Sequence, residues 1–481
     1  MSDTIRIRVL PDETFGTMSA RLYGHFAEHL GRCCYDGLWV GPDSDIPNEH
    51  GFRTDAIQAL AEMPCKLLRW PGGCYADHYH WRDGIGENRP QRLGMSCGER
   101  TLDTNALGLH EFLWLCERIG AEPYLAGNMG SGSCQEMCDF VEYTNATLAT
   151  DLVQERATNG RAEPWNVRLW GVGNENWGCG GHYDPESYGL EYRRYATMLR
   201  HVDDQLELVS CGFEADWNRR LMHTLRNHLH LVDHLSIHRY WGSSQSDFDF
   251  DSDGYYGLLK EANRTEQFVQ ETQTLIQEVA GTQKKIGIAL DEWGAWHPEA
   301  KLEAKYEQRS TLRDAIAAAI ALEGFHRQSG SLTLANLAQI CNVLHAPIQT
   351  HGAHLWMTPT YYVFQMQRPH LGGVAHRVAW ECEDASPGLP KVGAMATRKD
   401  DECTVSLTNR HMEQPAEIIM EGVPELIQGR FLAGATAYAM NGPFESEVLP
   451  NALHWAETGD GSVVFGLPPH SVTTIRYRAS E

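Results

Sequence analysis

The chain predicts an α/β fold, a (β/α)8 barrel of the TIM type, followed by an antiparallel β-sandwich of jelly-roll-like texture. Three observations carry this. Between residues 18 and 358, apolar strand-like runs alternate with amphipathic or alanine-rich stretches. Polar and aromatic residues collect just after each run. From residue 359 onward the alternation stops, and short period-two segments punctuated by Pro and Gly replace it.

The strand-like runs are Arg21–His25, Lys66–Trp70, Pro123–Ala126, Arg168–Val172, Leu206–Gly212, Asp233–His238, Ile286–Leu290 and Leu332–Ala335. The helix-like stretches between them include Thr54–Glu62, Leu107–Ile119, Pro185–Val202, Glu266–Val279 and Thr311–His326. Parallel strands need a crossover, usually a helix, so strand–helix alternation argues for a parallel sheet. Eight such units close into a barrel. The later segments Cys403–Thr408, Ala416–Met420, Ala435–Ala439, Ser462–Phe465 and Val472–Tyr477 read as sandwich strands. Ile5–Val9 is also strand-like and precedes the barrel. The predicted division is a barrel over 18–358 and a sandwich built from 1–17 plus 359–481. A chain of 481 residues exceeds one ordinary core, which fits two units.

Composition narrows the function. A net charge of -24 argues against nucleic acid, whose phosphates need Lys and Arg, and favours neutral ligands. No window approaches the roughly 18 apolar residues of a membrane span. The N-terminus reads as a strand and not as a signal peptide. Thirteen scattered cysteines, an odd number, read as reduced thiols of a cytoplasmic protein. Cys134 with Cys138, and Cys33 with Cys34, lack the spacing of a zinc site.

The residues closing the apolar runs are the chemically informative ones. They are Glu28 and His29, Pro71-Gly-Gly-Cys74, Asn128, Asn174-Glu175, Glu214, His238 and Tyr240, Glu292 and Trp293, and Gln339. In a barrel these ends share the C-terminal face, where the chemistry of such folds sits. Gly173-Asn174-Glu175 closes the fourth run and Asp291-Glu292 the seventh. Alone, each reads equally as a helix cap. Together they place two carboxyl groups across the barrel mouth. Two such groups flanking a sugar hydrolyse a glycosidic bond: one protonates the leaving oxygen, and the other attacks the anomeric carbon or activates water.

One motif misleads. Asp249-Phe-Asp251-Ser-Asp253-Gly254 matches the start of a calcium-binding EF-hand loop, but Lys260 stands where the twelfth-position Glu belongs. The segment 245–254 reads instead as an acidic loop overhanging the site. No metal and no cofactor are expected.

Four stretches resemble glycoside hydrolase family 51, the α-L-arabinofuranosidases. They are Tyr23-Gly-His-Phe-Ala-Glu28-His, Arg69-Trp-Pro-Gly-Gly-Cys-Tyr-Ala-Asp77 with Tyr79–Gly86, Trp170–Gly178, and Leu290-Asp-Glu-Trp293. Ser236–Tyr240 and Leu334–Gln339 add to them. The resemblance implies an exo-acting, retaining arabinofuranosidase that releases terminal arabinofuranose from arabinan or arabinoxylan oligosaccharides. It implies Glu175 as general acid/base, its pKa raised, and Glu292 as nucleophile, kept ionised with help from Arg69. Asn174 is implied to bind the hydroxyl next to the anomeric carbon. Glu28, Cys74, His238, Tyr240 and Gln339 are implied to line the sugar pocket, Cys74 as a small wall residue. Trp177, Trp293 and Trp296 read as sugar platforms or core. Assembly as a homo-oligomer, a hexamer, is implied too. The alternatives are another retaining glycosidase on this framework (β-xylosidase, endo-glucanase or galactofuranosidase) and a non-catalytic sugar-binding protein.

Overall fold

Each of the predicted apolar runs contributes a strand to a closed, all-parallel barrel. In chain order the strands are Gly24–Phe26, Leu67–Trp70, Glu122–Gly127, Leu169–Val172, Glu207–Ser210, His234–Gly242, Gly287–Trp296 and Leu332–Ala338. The computed structural model describes residues 4–242, 245–458 and 461–479. The outermost residues of the predicted sandwich unit, 1–3 and 480–481, lie outside the described residues. The principal helices following the strands are Thr54–Glu62, Leu109–Ile119, Cys134–Asn145, Pro185–Val202, Ala215–Leu225, Ser252–Ala280, Leu312–Arg327 and Pro359–Gln367. Leu67, Tyr124, Leu169, Val209, Ala289 and Leu334 point inward and fill the barrel interior as a separate apolar cluster.

The first strand starts later than its sequence pattern predicts. Ala20–Tyr23 form a 3-10 turn, with Ser19 Oγ accepting the Arg21 N–H at 3.2 Å. Arg21 is drawn out of the strand by two acids. Its guanidinium binds Glu122 at 2.6 Å and Glu207 at 2.6 Å, tying the first, third and fifth strands at their N-terminal ends.

The C-terminal unit is one curled ten-stranded sheet. It is mostly antiparallel, as predicted, but not entirely. Ile5–Thr17 is the strand that joins its two halves. The first residues of this strand pair in parallel with Ala416–Met420, and later ones pair antiparallel with Val374–Ala379. Irregular register between Leu10 and Gly16 lets the long strand bend between the two pairings. Ile5, Ile7, Val392, Val405, Leu407, Ile418, Phe465 and Ile475 share the core that the curl encloses. Ala435–Ala439 is not a strand. Ala437 and Ala439 carbonyls instead accept the N–H groups of Arg313 and Leu312 at the start of a barrel helix.

That helix, Leu312–Arg327, is buried on every side. It lies between the barrel and the sheet, and its alanines 315, 317, 318, 319 and 321 permit close approach from both. The acidic segment 245–254 ends by starting a helix. Asp251 accepts the N–H groups of Asp253 and Gly254, and Asp247 binds Arg309. Among the described residues, no helix is long and apolar enough to cross a membrane.

Candidate active site

Gly173 and Glu175 end the fourth strand in left-handed backbone, with φ of 85° and 41°. Gly173 suits this: a Cβ there would sit 2.2 Å from Asn176 Oδ1. Glu175 lacks glycine's freedom, so holding it there costs backbone strain. The turn aims its carboxylate inward, where Oε1 meets His238 Nδ1 at 2.8 Å.

Glu292 arrives from the opposite wall on the seventh strand. A register shift between Ile237 and His238 sets His238 beside Glu292 on the neighbouring strand. His238 Nδ1 lies 3.5 Å from Glu292 Oε2, so the imidazole sits between the two acids. The carboxylate oxygens of Glu175 and Glu292 and the His238 nitrogen all fall within 4.8 Å of one another. Tyr240 OH donates to Glu292 Oε2 at 2.8 Å, and Arg69 Nη1 donates to Glu292 Oε1 at 2.8 Å.

Arg69 is the buried hub. Its other terminal nitrogen donates to Asn174 Oδ1 at 2.6 Å, while the Asn174 amide nitrogen lies 3.9 Å from Cys179 Sγ. Phe26 lies under the guanidinium at 4.5 Å. Sequence reading gave Arg69 only a supporting part, although an arginine inside an apolar strand run was a usable signal.

Electrostatics separate the groups. Burial would raise Glu292, but the nearby His238 and Arg69 outweigh it and hold the carboxyl below its ordinary range. Burial would lower His238, but the charges of Glu292 and Glu175 outweigh it and raise the imidazole. Glu28 is pushed up to about 7 by burial and by the charge of Glu292. Tyr240 is pushed up by burial and by Glu292, so it stays a hydrogen donor.

Glu28 and Gln339 form the floor. Glu28 Oε1 accepts from Gly73 N at 3.0 Å, Tyr75 N at 3.2 Å and Ser96 Oγ at 2.6 Å. Its Oε2 accepts from Gln339 Nε2 at 2.6 Å. Glu28 therefore bonds these donors and not Arg69. Ser96 belongs to no sequence motif and was missed. Gln339 Oε1 is buried without a protein partner. Gly73 allows the backbone to pass close to Glu292, since a Cβ there would lie 2.8 Å from Glu292 Oε1.

Cys74 corrects the sequence reading. It is not a free wall thiol: it is bonded to Cys179, 105 residues away, with Cα atoms 5.6 Å apart. The loops after the second and fourth strands are neighbours across the mouth, which linear spacing does not reveal. The other described cysteines, eleven of them, are free thiols. The tryptophans divide. Trp293 is core, packed against Trp241 and Phe325. Trp177 stacks on Phe213 at 3.8 Å, and Trp296 meets the Tyr240 ring edge-on at 5.1 Å.

The chain matches two family models, the alpha-L-arabinofuranosidase 1 domain over residues 59–256 and the alpha-L-arabinofuranosidase C-terminal domain over 291–471. It is 40% identical to an intracellular exo-alpha-L-arabinofuranosidase of Bacteroides ovatus, covering 98% of this chain and 95% of that one. A GH51 arabinofuranosidase crystal structure from Xanthomonas axonopodis pv. citri superposes with a TM-score of 0.93 at 31% identity, covering 99% of this chain and all of that one. The arabinose complex of the Thermotoga maritima alpha-L-arabinofuranosidase gives 0.89 at 29% identity, with the same coverage. The chain belongs to glycoside hydrolase family 51, the α-L-arabinofuranosidases.

Proposed function

We propose that the chain is a retaining, exo-acting enzyme releasing terminal non-reducing arabinofuranose from arabinan or arabinoxylan oligosaccharides by double displacement. One observation carries this reading: the Glu175 and Glu292 carboxylates approach within 4.8 Å across the barrel mouth. Retaining glycosidases hold their carboxyl pair about 5–5.5 Å apart, whereas inverting ones leave room for a water.

Glu292 is the nucleophile. Its ionised form is held by Arg69 and Tyr240, and its oxygen attacks the anomeric carbon. Glu175, carrying a proton, delivers it to the departing oxygen. Once the sugar is esterified to Glu292, that carboxylate has lost its charge. Glu175 then removes a proton from water, which attacks the anomeric carbon and frees Glu292. His238 orients Glu175 through their 2.8 Å contact. Asn174 donates to the hydroxyl beside the anomeric carbon, while Glu28 and Gln339 hold ring hydroxyls at the floor. The Cys74 backbone, fixed by its disulfide, forms a wall.

The relatives from Bacteroides ovatus and Streptomyces lividans are named intracellular. We extend that location to this chain, which makes short imported oligosaccharides its substrates. We read the assembly as a hexamer, which sedimentation checks. The barrel over 18–358 and the sheet unit from 1–17 and 359–481 remain our division, with the Pro359–Gln367 helix at the join.

A panel of 4-nitrophenyl glycosides tests the reading. Turnover of the α-L-arabinofuranoside is expected, and turnover of only the β-D-xyloside or β-D-glucoside would sink it. Glu175→Ala should slow poor leaving groups by about 100-fold or more. Azide should rescue it and give a product of retained configuration; an inverted azide product would reverse the two assignments.

A further inference from the structure

Two thiol-capable residues stand against the general acid. Cys179 Sγ lies 3.9 Å from Glu175 Oε2. Cys74 Sγ, Cys179 Sγ and a Glu175 oxygen all lie within 4.8 Å of one another. A tetrahedral zinc-like centre, with bonds of about 2.0–2.3 Å, spaces its ligand atoms by roughly 3.5 Å. Side-chain shifts of about 1 Å would bring these atoms to that spacing. Solvent reaches the group, because Cys179 is exposed and Cys74 and Glu175 are half-buried. The Cα separation of 5.6 Å leaves the paired loops close enough to share one ion once the sulfurs part.

We propose that reduction of the Cys74–Cys179 bond uncovers a site for a thiophilic divalent cation, held by Cys74, Cys179 and Glu175, and that occupancy stops turnover. The chemistry balances. A thiol or phosphine reductant supplies two electrons, the S–S bond breaks, and two protons complete the thiols. The cation then displaces both thiol protons and the proton that Glu175 carries, all three passing to solvent, and Glu175 binds it as a carboxylate. Two thiolates and one carboxylate select zinc, cadmium or cobalt over magnesium or calcium, whose preferred ligands are oxygen. Water can fill the fourth position. A Glu175 carboxylate bound to a cation has no proton to give, and the cation's charge lowers its basicity toward one. In the oxidised protein the sulfurs share their bond and the site is closed. The second half of the proposal rests on the reading of Glu175 as the acid/base. The metal site itself does not.

The test uses the intact protein, oxidised or reduced with a phosphine, titrated with cobalt(II) under argon. Reduced protein should develop a thiolate-to-cobalt charge-transfer band with a single cobalt per chain, and oxidised protein should not. Cys179→Ser should lack the band under reduction, which separates this pair from the other thiols. Activity of reduced, metal-free protein is the reference. Zinc should lower it at least about tenfold, and EDTA should restore it. A reduced protein without the band, or one whose band survives in Cys179→Ser, overturns the proposal. A band with full activity would instead overturn the role given to Glu175 and leave the metal site standing.

Discussion

Arg69 is fully buried and divides its guanidinium between Glu292 and Asn174. Removing it leaves the buried carboxylate with His238 as its remaining cationic neighbour, at a cost of up to about 3–5 kcal/mol. The sign of the pH effect follows from the same contact. Arg69 helps hold Glu292 below its ordinary range, so Arg69→Met moves that carboxyl upward. The acid limb of kcat/KM should therefore shift to higher pH, and urea unfolding should show the loss of stability. A destabilised variant with an unmoved acid limb would mean that Arg69 is structural only. At this scale the sequence was informative where chemistry and local pattern coincide. Glu175 and Glu292 each close an apolar run, and Gly173 and Gly73 stand where backbone must turn or pass closely. It was silent on partners. Ser96 reaches Glu28, and Cys179 reaches Cys74, only because barrel closure joins loops distant in the chain.

The Leu312–Arg327 helix shows how one element is fixed from its first turn. Thr311 and Asp314 form a reciprocal cap, and Asp314 Oδ1 also meets His297 at 2.7 Å, linking the helix to the loop after the seventh strand. Burial would raise Asp314, but His297 and then Arg313 outweigh it and hold the carboxyl below its ordinary value. A depressed folded value gives stability that is present above the unfolded pKa of about 3.9 and lost as pH falls through the folded one. Asp314→Asn should cost about 2 kcal/mol near neutral pH. Its stability should also fall less steeply than that of the parent as pH drops below about 4. Parallel acid-unfolding curves for the two proteins would contradict this. The existence of the barrel strands was legible because period and composition are local, whereas Ala435–Ala439 in the later unit proved to be turn. Strand limits were not legible: Arg21 left its predicted strand for Glu122 and Glu207, and the N-terminal strand took a parallel partner more than 400 residues away, as in Ile5 opposite Ile418.

Across the whole molecule, the barrel and the curled sheet share the buried Leu312–Arg327 helix. Glu323 on its inner turns pairs with Arg410 of the sheet, both almost without exposure. Breaking such a pair by removing one partner costs about 3–5 kcal/mol. Glu323→Ala should therefore lower Tm by several degrees while unfolding stays a single calorimetric transition. Its kcat at 25 °C should stay close to that of the parent, because Glu323 touches no group of the site. Two resolved transitions in the parent protein would show that the units fold independently and that this pair does not couple them.

The arrangement of Glu175 and Glu292 makes a stereochemical commitment that a single experiment reads. Hydrolysis of 4-nitrophenyl α-L-arabinofuranoside inside an NMR tube shows the first arabinose anomer formed, before mutarotation. Double displacement at carboxylates within 4.8 Å predicts the α-anomer first. Initial release of the β-anomer would mean direct attack by water, and would contradict the covalent role assigned to Glu292.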